Sequence, residues 1–404
     1  MRFLVITQDL RISGTSAGLV SRSFLAKLRK AYPNAIIDVH YLIHRATEDR
    51  LDLLPVSSIK RHIVNIKIPA YVVFLNRFYW RLFHVSLNER FRQKQFAKII
   101  SKIDINIYDH IFISSSGTGH ETILATHNLP ILKRANIIFH DPYPLAWYEG
   151  YNKAPSNLDL FRLKQVIEVA AQAKTCSSTA KYMSHDLKSI YAYKKRFYTL
   201  PHQFDSSVFD ASDTLNVIKK SKKVCISYHG ALMFGRNAYN LLLAYQKLLK
   251  EDVTYNDLTE IVLRVKGDGV EKLKQDFGGI ENIKILNTLN FSNSYNEQIY
   301  ETDILIILEN GPDYCNILVG KAPCIASCNK PVLCLSPKKS ELRDIIVDER
   351  CIANMNDVMD IKEKLKNLID NRLRTKESFF PFGDYFSNEN FKLMLNKILL
   401  AKCI

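Results

Sequence analysis

The chain has 404 residues, of which 47% are hydrophobic and 24% are charged, a composition typical of globular proteins and not of disordered ones. This length exceeds one ordinary core and predicts two domains of roughly 200 residues each. The net charge is +15, with 29 Lys+Arg against 15 Asp+Glu up to Asp205 and 27 against 26 after it. A basic first half beside a neutral second half predicts that one domain faces a polyanion, either nucleic acid or anionic lipid.

No stretch of the sequence predicts a secretory signal or a membrane-spanning helix. The first ten residues form too short an apolar run for a signal peptide and indicate a buried strand. The longest apolar runs, such as 304–308, fall far short of the roughly 18–20 residues that a spanning helix needs. Eight cysteines without paired spacing predict reduced, mostly buried thiols and no metal site. We therefore expect a cytoplasmic protein.

Strand-like runs alternate with helical patterns throughout the chain. In the first half, a helical pattern covers 18–31, and strands are predicted at 3–7, 35–41, 110–114, 136–140 and 174–177. In the second half, a helix is predicted at 238–250, and strands at 223–228, 260–266, 283–285, 303–308 and 331–335. Such alternation is typical of a parallel, doubly wound α/β sheet.

The domain organisation follows from a polar stretch near the middle of the chain. We predict an N-terminal Rossmann-like domain at 1–205, a linker at 206–222, a C-terminal Rossmann-like domain at 223–385, and a terminal helix at 386–404 that packs back across a central cleft. Ligands of open parallel sheets bind beyond the carboxyl ends of the strands. The loops that follow strands are therefore the candidate functional segments.

Two loops of the first half are candidates for an acceptor site. Gly14, Thr15 and Ser16 lie between the first strand and the first helix, where backbone amides can approach a ligand, although a plain strand–helix turn explains them equally well. The loop 114–120 carries hydroxyls and His120, which are suited to a sugar pocket. A nucleophilic role for Ser116 is disfavoured because the GxSxG pattern is absent.

A histidine and a carboxylate stand next to each other at the end of the predicted strand 136–140. His140 and Asp141 can orient a hydroxyl or accept its proton, and Trp147 and Tyr148 follow as a possible aromatic wall. The alternative is that Asp141 caps a turn and that His140 is a half-buried ring. We predict these two residues as catalytic, with Asp141 the better candidate for the base.

The second half contains a set of glycines and cations at strand ends. Gly230 permits close approach of a ligand, and Arg236 can reach a diphosphate with two hydrogen bonds. Lys266, Gly267 and Gly269 follow the next strand, in an arrangement that suits a nucleotide resting on backbone.

Three further residues of this half extend the predicted donor site. Lys321 stands at the start of a predicted helix and is surrounded by apolar residues, which favours a role in binding phosphate. Ser340 and Glu341, in the loop after the strand 331–335, are candidates for binding ribose or sugar hydroxyls.

These loops resemble those of GT-B glycosyltransferases of family 4 and their bacterial surface-polysaccharide relatives. The resemblance is carried by Tyr228-His-Gly with Arg236, by 266–269, by 200–205, by Gly320-Lys321 with 329–333, and by 140–144. It implies an N-terminal acceptor domain, a C-terminal domain for a nucleotide diphosphate sugar, and neither a catalytic metal nor a cofactor. It also implies a lipid-linked or saccharide acceptor in cell-surface polysaccharide synthesis.

The sequence departs from the family at two positions. Where family 4 carries two glutamates eight residues apart, this chain has Asn316 and Cys324. The lysine that usually accompanies Arg236 is not evident, and Lys321 is its candidate replacement. The stereochemical outcome stays open, and two alternatives remain: a nucleotide-sugar epimerase of the same fold, and a partner subunit that has lost catalysis.

A basic and aromatic stretch runs from Arg77 to Lys102, with seven basic residues and one acidic residue. If helical, it resembles a helix that lies on a membrane, with Arg77, Trp80, Arg81, Arg90 and Arg92 facing anionic lipid. The alternative is a surface helix that buries Phe78, Leu82 and Phe83. No nucleic-acid-binding motif accompanies the charges. We therefore predict a peripheral protein on the cytoplasmic face of a membrane.

Overall fold

Two parallel α/β units make up the chain in a computed structural model that describes residues 1–45, 47–115, 119–143, 154–192, 195–311, 313–375 and 377–401. The first unit contains the described residues up to Val208 together with those from Ser387 onward, and the second runs from Phe209 to Phe386. Of the predicted linker 206–222, the part from Phe209 onward belongs to the second unit, where the backbone N–H of Asn216 donates to the Asn293 side chain (2.7 Å).

The first unit is a seven-stranded sheet with helices. In chain order its elements are β1 (Arg2–Thr7), α1 (Ser16–Ala31), β2 (Ile36–Ile43), β3 (Ser58–Ile63), α2 (Ala70–Phe83), α3 (Leu87–Ile100), β4 (His110–Ser114), α4 (Glu121–Leu124), β5 (Ala135–Phe139), α5 (Asn157–Gln172), β6 (Thr175–Ser178), α6 (Lys181–Tyr191) and β7 (Phe197–Thr199).

The second unit holds a six-stranded sheet and a short two-stranded one. Its elements are β8 (Val224–Leu232), α7 (Tyr239–Glu251), α8 (Thr254–Leu258), β9 (Thr259–Gly267), α9 (Val270–Phe277), β10 (Ile283–Leu286), α10 (Phe291–Asn296), β11 (Ile304–Leu308), β12 (Tyr314–Cys315), α11 (Ala322–Ala326), β13 (Val332–Ser336), β14 (Lys339–Ser340), α12 (Glu341–Ile345), β15 (Ile352–Asn354) and α13 (Val358–Arg374). A π-helical turn, Glu297–Glu301, continues α10.

The two larger sheets repeat one topology. Their strand orders are β3-β2-β1-β4-β5-β6-β7 and β10-β9-β8-β11-β13-β15, and every pairing is parallel. In each sheet the order reverses between the first and fourth strands, which is where doubly wound folds place ligands. The central strands are continuous buried apolar runs such as that of β11, as expected of strands covered on both faces.

The terminal helix α14 (Asn388–Leu399) belongs to the first unit and packs on α1. The ring of Phe391 lies 6.1 Å from that of Phe24 in an edge-on contact, and the Tyr32 hydroxyl hydrogen-bonds to Asn396. Both aromatic rings in this contact are buried. The end of the chain is therefore part of the core that supports β1.

The sequence-based prediction missed five strands, among them both strands of the short sheet, β12 and β14, and misjudged one helical stretch. Strands β3, β7 and β15 each lie at a sheet edge, and the polar, largely exposed pattern of β3 explains why it carries no strand signal. The stretch 77–102 is two helices, since His84 adopts a left-handed conformation (φ 51°) and Ser86 caps α3.

Helix α2 is exposed over most of its surface. Only Val72 is buried, while the side chains of Phe78, Leu82 and Phe83 are 54%, 69% and 62% exposed. The alternative in which these three residues form a buried face is therefore wrong. Among the described helices, none is both long and apolar enough to cross a membrane.

Candidate functional site

A cluster of cations gathers at the carboxyl ends of β8 and β9 in the second unit. Strand β8 extends two residues beyond Gly230, and the ammonium of Lys321 lies over this glycine so closely that an added Cβ would stand 2.0 Å from Nζ. The same ammonium lies 5.1 Å from the centre of the Tyr228 ring. A glycine at position 230 is therefore what allows the lysine to rest on the strand.

Burial and neighbouring cations lower the pKa of Lys321 to about 7. Loss of hydration is the largest cause, and the positive charges of Arg236 and Lys266 add to it. Sequence positions 236, 266 and 321 therefore lie within electrostatic range of one another. Among the described residues, no carboxylate forms an ion pair with any of the three. A region of this kind attracts an anion.

The loops around Lys321 hold Arg236 and the neighbouring backbone in place. Arg236 Nε donates to Asn310 Oδ1 (2.9 Å), so an amide and not a carboxylate orients the guanidinium. Gly267 has φ +103° and lies so close to the Leu232 carbonyl that an added Cβ would be 2.5 Å from it. Gly269 (φ +78°) precedes α9 with open space around it. Two turns that contain glycine thus leave positions 267 and 269, at the carboxyl edge of the second sheet, without side chains beside the cations.

A buried charged network lies beside the cluster, and the sequence-based analysis did not identify it. Arg264 donates to both carboxylate oxygens of Glu297 (2.9 and 2.6 Å), and His229 accepts or donates a hydrogen bond with the Ser294 hydroxyl (2.9 Å). Burial and the charges of Lys321 and Arg264 keep the pKa of His229 well below its usual value. The sequence signal was Arg264 itself, a charged residue inside an apolar strand, but its partner is 33 positions away.

Two residues predicted for the donor site are engaged inside the unit. Ser340 is buried and caps α12, accepting from the Arg343 N–H (3.2 Å). Glu341 is also buried and accepts from the Tyr385 hydroxyl (3.1 Å). Their side chains therefore stabilise the loop after β13, and their role in binding ribose or sugar hydroxyls stays a prediction.

Glu309, at the end of β11, is a buried acid that the sequence-based analysis overlooked. Both of its carboxyl oxygens are sealed from solvent, and burial raises its pKa to about 7, although the hydroxyls of Ser336 and Ser340 act in the opposite direction. The only sequence signal was a carboxylate directly following an apolar strand. At the two positions where the resembling family carries glutamates, this chain has Asn316 and Cys324, neither of which is an acid.

The carboxyl edge of the first unit presents imidazoles instead of cations. His140 follows β5 and its ring stacks on that of His202, with centroids 5.5 Å apart and planes at 20°. His140 Nδ1 and His202 Nδ1 are both buried, with no hydrogen-bond partner in the described part of the chain, and burial lowers the pKa of His140 to about 4. These rings are neutral at pH 7. Asp141 is half-buried at the same strand end.

His120 is buried, whereas Gly14 and Ser16 in the 14–16 loop are exposed and Thr15 is partly exposed. His120 is fully buried, 5.3 Å from the Tyr143 ring, and burial lowers its pKa to about 3. In this arrangement it supports the strand end and does not line an open pocket. Thr15 caps α1, accepting from the Gly18 N–H (3.3 Å) while it donates to Asp9 (2.9 Å). Ser116, Trp147 and Tyr148 lie outside the described residues.

The predicted membrane-facing residues divide into two groups. Arg77, Arg81 and Arg90 are exposed, whereas Trp80 is partly covered and contacts the Phe161 ring edge-on at 6.3 Å. Arg92 forms an ion pair with the buried Glu89 (3.2 Å), which also binds Arg162. Arg92 is therefore committed to an internal network.

The described residues include no group of three or more His, Cys, Asp or Glu side chains arranged to hold a metal ion. The seven described cysteines are free thiols, five of them buried. Metal independence itself stays a prediction.

Comparison with known proteins yields similarity in structure only. No protein-family model matches the chain, and no curated protein matches it by sequence. Sucrose-phosphate synthase from Thermosynechococcus elongatus has a TM-score of 0.64 at 12% identity, covering 98% of both chains. A glycosyltransferase from Rickettsia africae has a TM-score of 0.59 at 13% identity, covering 98% of this chain and 97% of that one.

A third similar structure belongs to another enzyme class. UDP-GlcNAc 2-epimerase from Neisseria meningitidis, bound to UDP-GlcNAc, has a TM-score of 0.56 at 14% identity and covers 99% of this chain and 100% of that one. Identities this low establish the fold alone. The predicted fold class is confirmed: the chain has the GT-B fold of two Rossmann-like α/β domains, shared by glycosyltransferases and UDP-GlcNAc 2-epimerases.

Proposed function

We propose that this chain is a glycosyltransferase that takes a sugar from a nucleotide diphosphate sugar. The observation that carries the proposal is the cluster of Arg236, Lys266 and Lys321 at the carboxyl edge of the second sheet, without a carboxylate partner among the described residues. Burying a lysine beside other cations is unfavourable in the free protein. A bound diphosphate would reverse that cost, which makes the cluster a suitable pyrophosphate site.

The cluster also matches the charge change of the reaction. As the bond between the sugar and the diphosphate breaks, negative charge grows on the leaving oxygen, and preorganised cations stabilise it. The proposal requires neither a metal ion nor a cofactor. The acceptor hydroxyl is assigned to the first unit, near the 14–16 loop and the strand end at His140, with Asp141 as the base.

A thermal-shift screen across nucleoside diphosphates tests the donor site. A ligand at 100 times its dissociation constant stabilises the folded protein by about 2.7 kcal/mol. Lys321→Ala should abolish that shift and weaken the affinity measured by calorimetry, whereas Lys272→Ala, an exposed lysine of the same unit, should leave both unchanged. Unchanged affinity in Lys321→Ala would remove this lysine from the donor site.

A nucleotide-sugar epimerase is the second candidate, favoured by the match to UDP-GlcNAc 2-epimerase over the whole chain. An epimerase converts the donor without an acceptor, so incubation of the protein with nucleotide sugar alone distinguishes the two. Nucleotide binding without turnover under either condition would instead favour a partner subunit, consistent with the non-acidic residues at positions 316 and 324.

The acceptor is proposed to be lipid-linked or a saccharide of the cell surface, reached at the cytoplasmic face of a membrane. Support comes from α2, where eight large apolar side chains are exposed: Tyr71, Val73, Phe74, Leu75, Phe78, Tyr79, Leu82 and Phe83. An exposed apolar patch beside cations is typical of a membrane-binding surface. Flotation with vesicles should recover the protein with anionic lipid, and no recovery with either neutral or anionic vesicles would exclude docking.

A further inference from the structure

A large cleft in the first unit is unrelated to the strand ends discussed so far. It has a volume of about 800 Å³ and lies between the C-terminal end of α2, helix α3, the segment that follows α4, and helix α5. None of its described lining residues belongs to the 14–16 loop or to the segment 139–143 around His140. The proposed transfer reaction therefore leaves this cleft without a role.

Three cations line the cleft, and they are not neutralised within it. Arg90 and Lys94 come from α3 and Lys164 comes from α5, and none of the three has an ion-pair partner within the described part of the chain. Glu168, the one carboxylate among the described residues that line the cleft, already lies 2.8 Å from the His127 ring. The cleft therefore offers positive charge to a ligand that is itself anionic.

The remaining polar groups at the cleft are mostly satisfied, and much of the rest is apolar. Gln93 and Gln165 hydrogen-bond to each other in both directions (2.9 and 3.1 Å), so their amides are already paired. Apolar lining comes from Phe83, Val85, Ala97, Leu124, Ala125, Leu160 and Phe161. A ligand that fits this cleft combines a compact negative group with hydrocarbon.

The cleft is continuous with the exposed helix α2. Phe83 belongs to both, as the last residue of α2 and as part of the cleft lining, and it is 62% exposed. Further along α2, Phe74 and Phe78 stack edge-on with centroids 5.3 Å apart, both more than half exposed. Positive charge in the cleft thus adjoins a helix on which Phe74, Phe78 and Phe83 are each more than half exposed.

We propose that this cleft binds the phosphorylated headgroup of an anionic membrane lipid, with Arg90, Lys94 and Lys164 around the phosphate and the lipid chains passing along α2. The inference rests on the proposed location at a membrane and names the site that selects the lipid. A lipid of the bilayer fits better than a small soluble phosphate because it accounts for the apolar lining and for the exposed helix together.

Charge reversal at two lysines of one helix tests the site against general attraction to an anionic surface. Lys94 and Lys98 are both exposed on α3, one turn apart, but only Lys94 lines the cleft. Partitioning of the full chain onto phosphatidylcholine vesicles, with and without phosphatidylglycerol, is measured for Lys94→Glu and Lys98→Glu. We expect Lys94→Glu to weaken binding to the anionic vesicles at least about tenfold more than Lys98→Glu.

Three outcomes overturn the inference. Equal losses in the two variants mean that charge acts at long range without a headgroup site. Inorganic phosphate that raises the melting temperature of the wild type but not of Lys94→Glu, with no vesicle binding, means a site for free phosphate. Absence of wild-type binding to anionic vesicles removes both the lipid site and the membrane location.

An independent readout separates this inference from the proposed donor site. Lys94→Glu should keep the full thermal shift with nucleoside diphosphate, because Lys94 and Lys321 belong to different units. In a Trp147→Phe background, the emission of Trp80 should shift to the blue when anionic vesicles are added, as the ring near the end of α2 loses contact with water. An unchanged emission would contradict the passage of lipid along α2.

Discussion

The two units of this protein share one sheet topology, yet their carboxyl edges carry opposite chemistry. In the first unit, the rings of His140 and His202 are buried and neutral. In the second, Lys321 lies within electrostatic range of Arg236 and Lys266, and the nearby Arg264 pairs with the buried Glu297. A doubly wound sheet therefore supplies only the position of a site. The residues at the strand ends decide whether that position suits a neutral hydroxyl or an anion.

The contrast concerns the strand ends and not the interior as a whole. In the first unit, burial lowers the pKa of His120, His140 and His202, although the same unit buries Arg22 and pairs the buried Glu89 with Arg162 elsewhere. In the second, the buried charge of Glu297 is compensated by Arg264. Four experiments can break or sharpen this contrast.

The largest effect is expected from breaking the buried ion pair. Glu297→Gln leaves the Arg264 guanidinium buried without a counter-charge, which typically costs about 3–5 kcal/mol. Hydrogen exchange, followed separately in the two units, should show lost protection in β8 and β9 but not in β1 or β4. Glu271→Gln, which breaks an exposed pair with Lys274, is the control and should change stability by less than about 1 kcal/mol. Equal hydrogen-exchange protection of β8 and β9 in Glu297→Gln and Glu271→Gln would mean that the buried pair does not stabilise the second unit.

Mild acid should destabilise the first unit more than the second. The native pKa values of His140 (about 4) and His120 (about 3) lie below the ordinary value of 6.5, so the unfolded state takes up protons first as the pH falls. Their contribution is complete above pH 6.5 and is lost as the pH falls towards about 4, at up to about 1.4 kcal/mol per pH unit for each ring.

The second unit contains an opposing group. Glu309 has a native pKa raised to about 7, so its burial becomes less costly as the pH falls below 7, which partly offsets the effect of His229. Hydrogen exchange at pH 7 and pH 5 measures the difference between the units, with His185→Ala, an exposed histidine, as a neutral control. Equal loss of protection in both units would contradict the assignment of buried neutral bases to the first.

The close contact at Gly230 predicts a loss of ligand affinity. A methyl group at this position would displace the Lys321 ammonium, whose Nζ lies 2.0 Å from the added Cβ. The end of a lysine side chain can move, so Gly230→Ala should fold while it weakens nucleoside diphosphate binding about tenfold, or about 1.4 kcal/mol. Gly279→Ala, where an added Cβ meets nothing within 4 Å, is the matched control for calorimetry. Unaltered affinity in Gly230→Ala would separate the lysine from the nucleotide.

The smallest effect concerns the cap of α1. Thr15→Ala removes the hydroxyl that accepts from the Gly18 N–H and donates to Asp9, at a cost of about 1 kcal/mol. Thr15→Ser retains the hydroxyl and should stay close to the wild type in denaturant unfolding of the first unit. If Thr15→Ala were as stable as Thr15→Ser, the loop would be held by backbone contacts alone.

Local patterns in the sequence were sufficient to predict the central strands. The predicted strand 110–114 coincides with β4, and the runs at 3–7 and 303–308 differ from β1 and β11 by one residue at the start. A strand that is buried on both faces must be apolar throughout, so its own residues reveal it. Edge strands such as β3 and β15 lack that requirement, and neighbours that are distant in sequence determine them.

The sequence by itself identified Arg236, Lys266 and Lys321 as the candidate cations of the second unit, since Arg236 and Lys266 stand near the ends of recognisable strands and Lys321 at the start of a predicted helix. Only the tertiary structure decided that Lys321 rests on Gly230, that Arg264 pairs with Glu297, and that Ser340 and Glu341 turn inward. It also decided that α2 stays exposed, although its residues are apolar enough for a core. The physical reason is that burial and pairing depend on segments brought together from far along the chain, whereas strand and turn propensities act within a few residues.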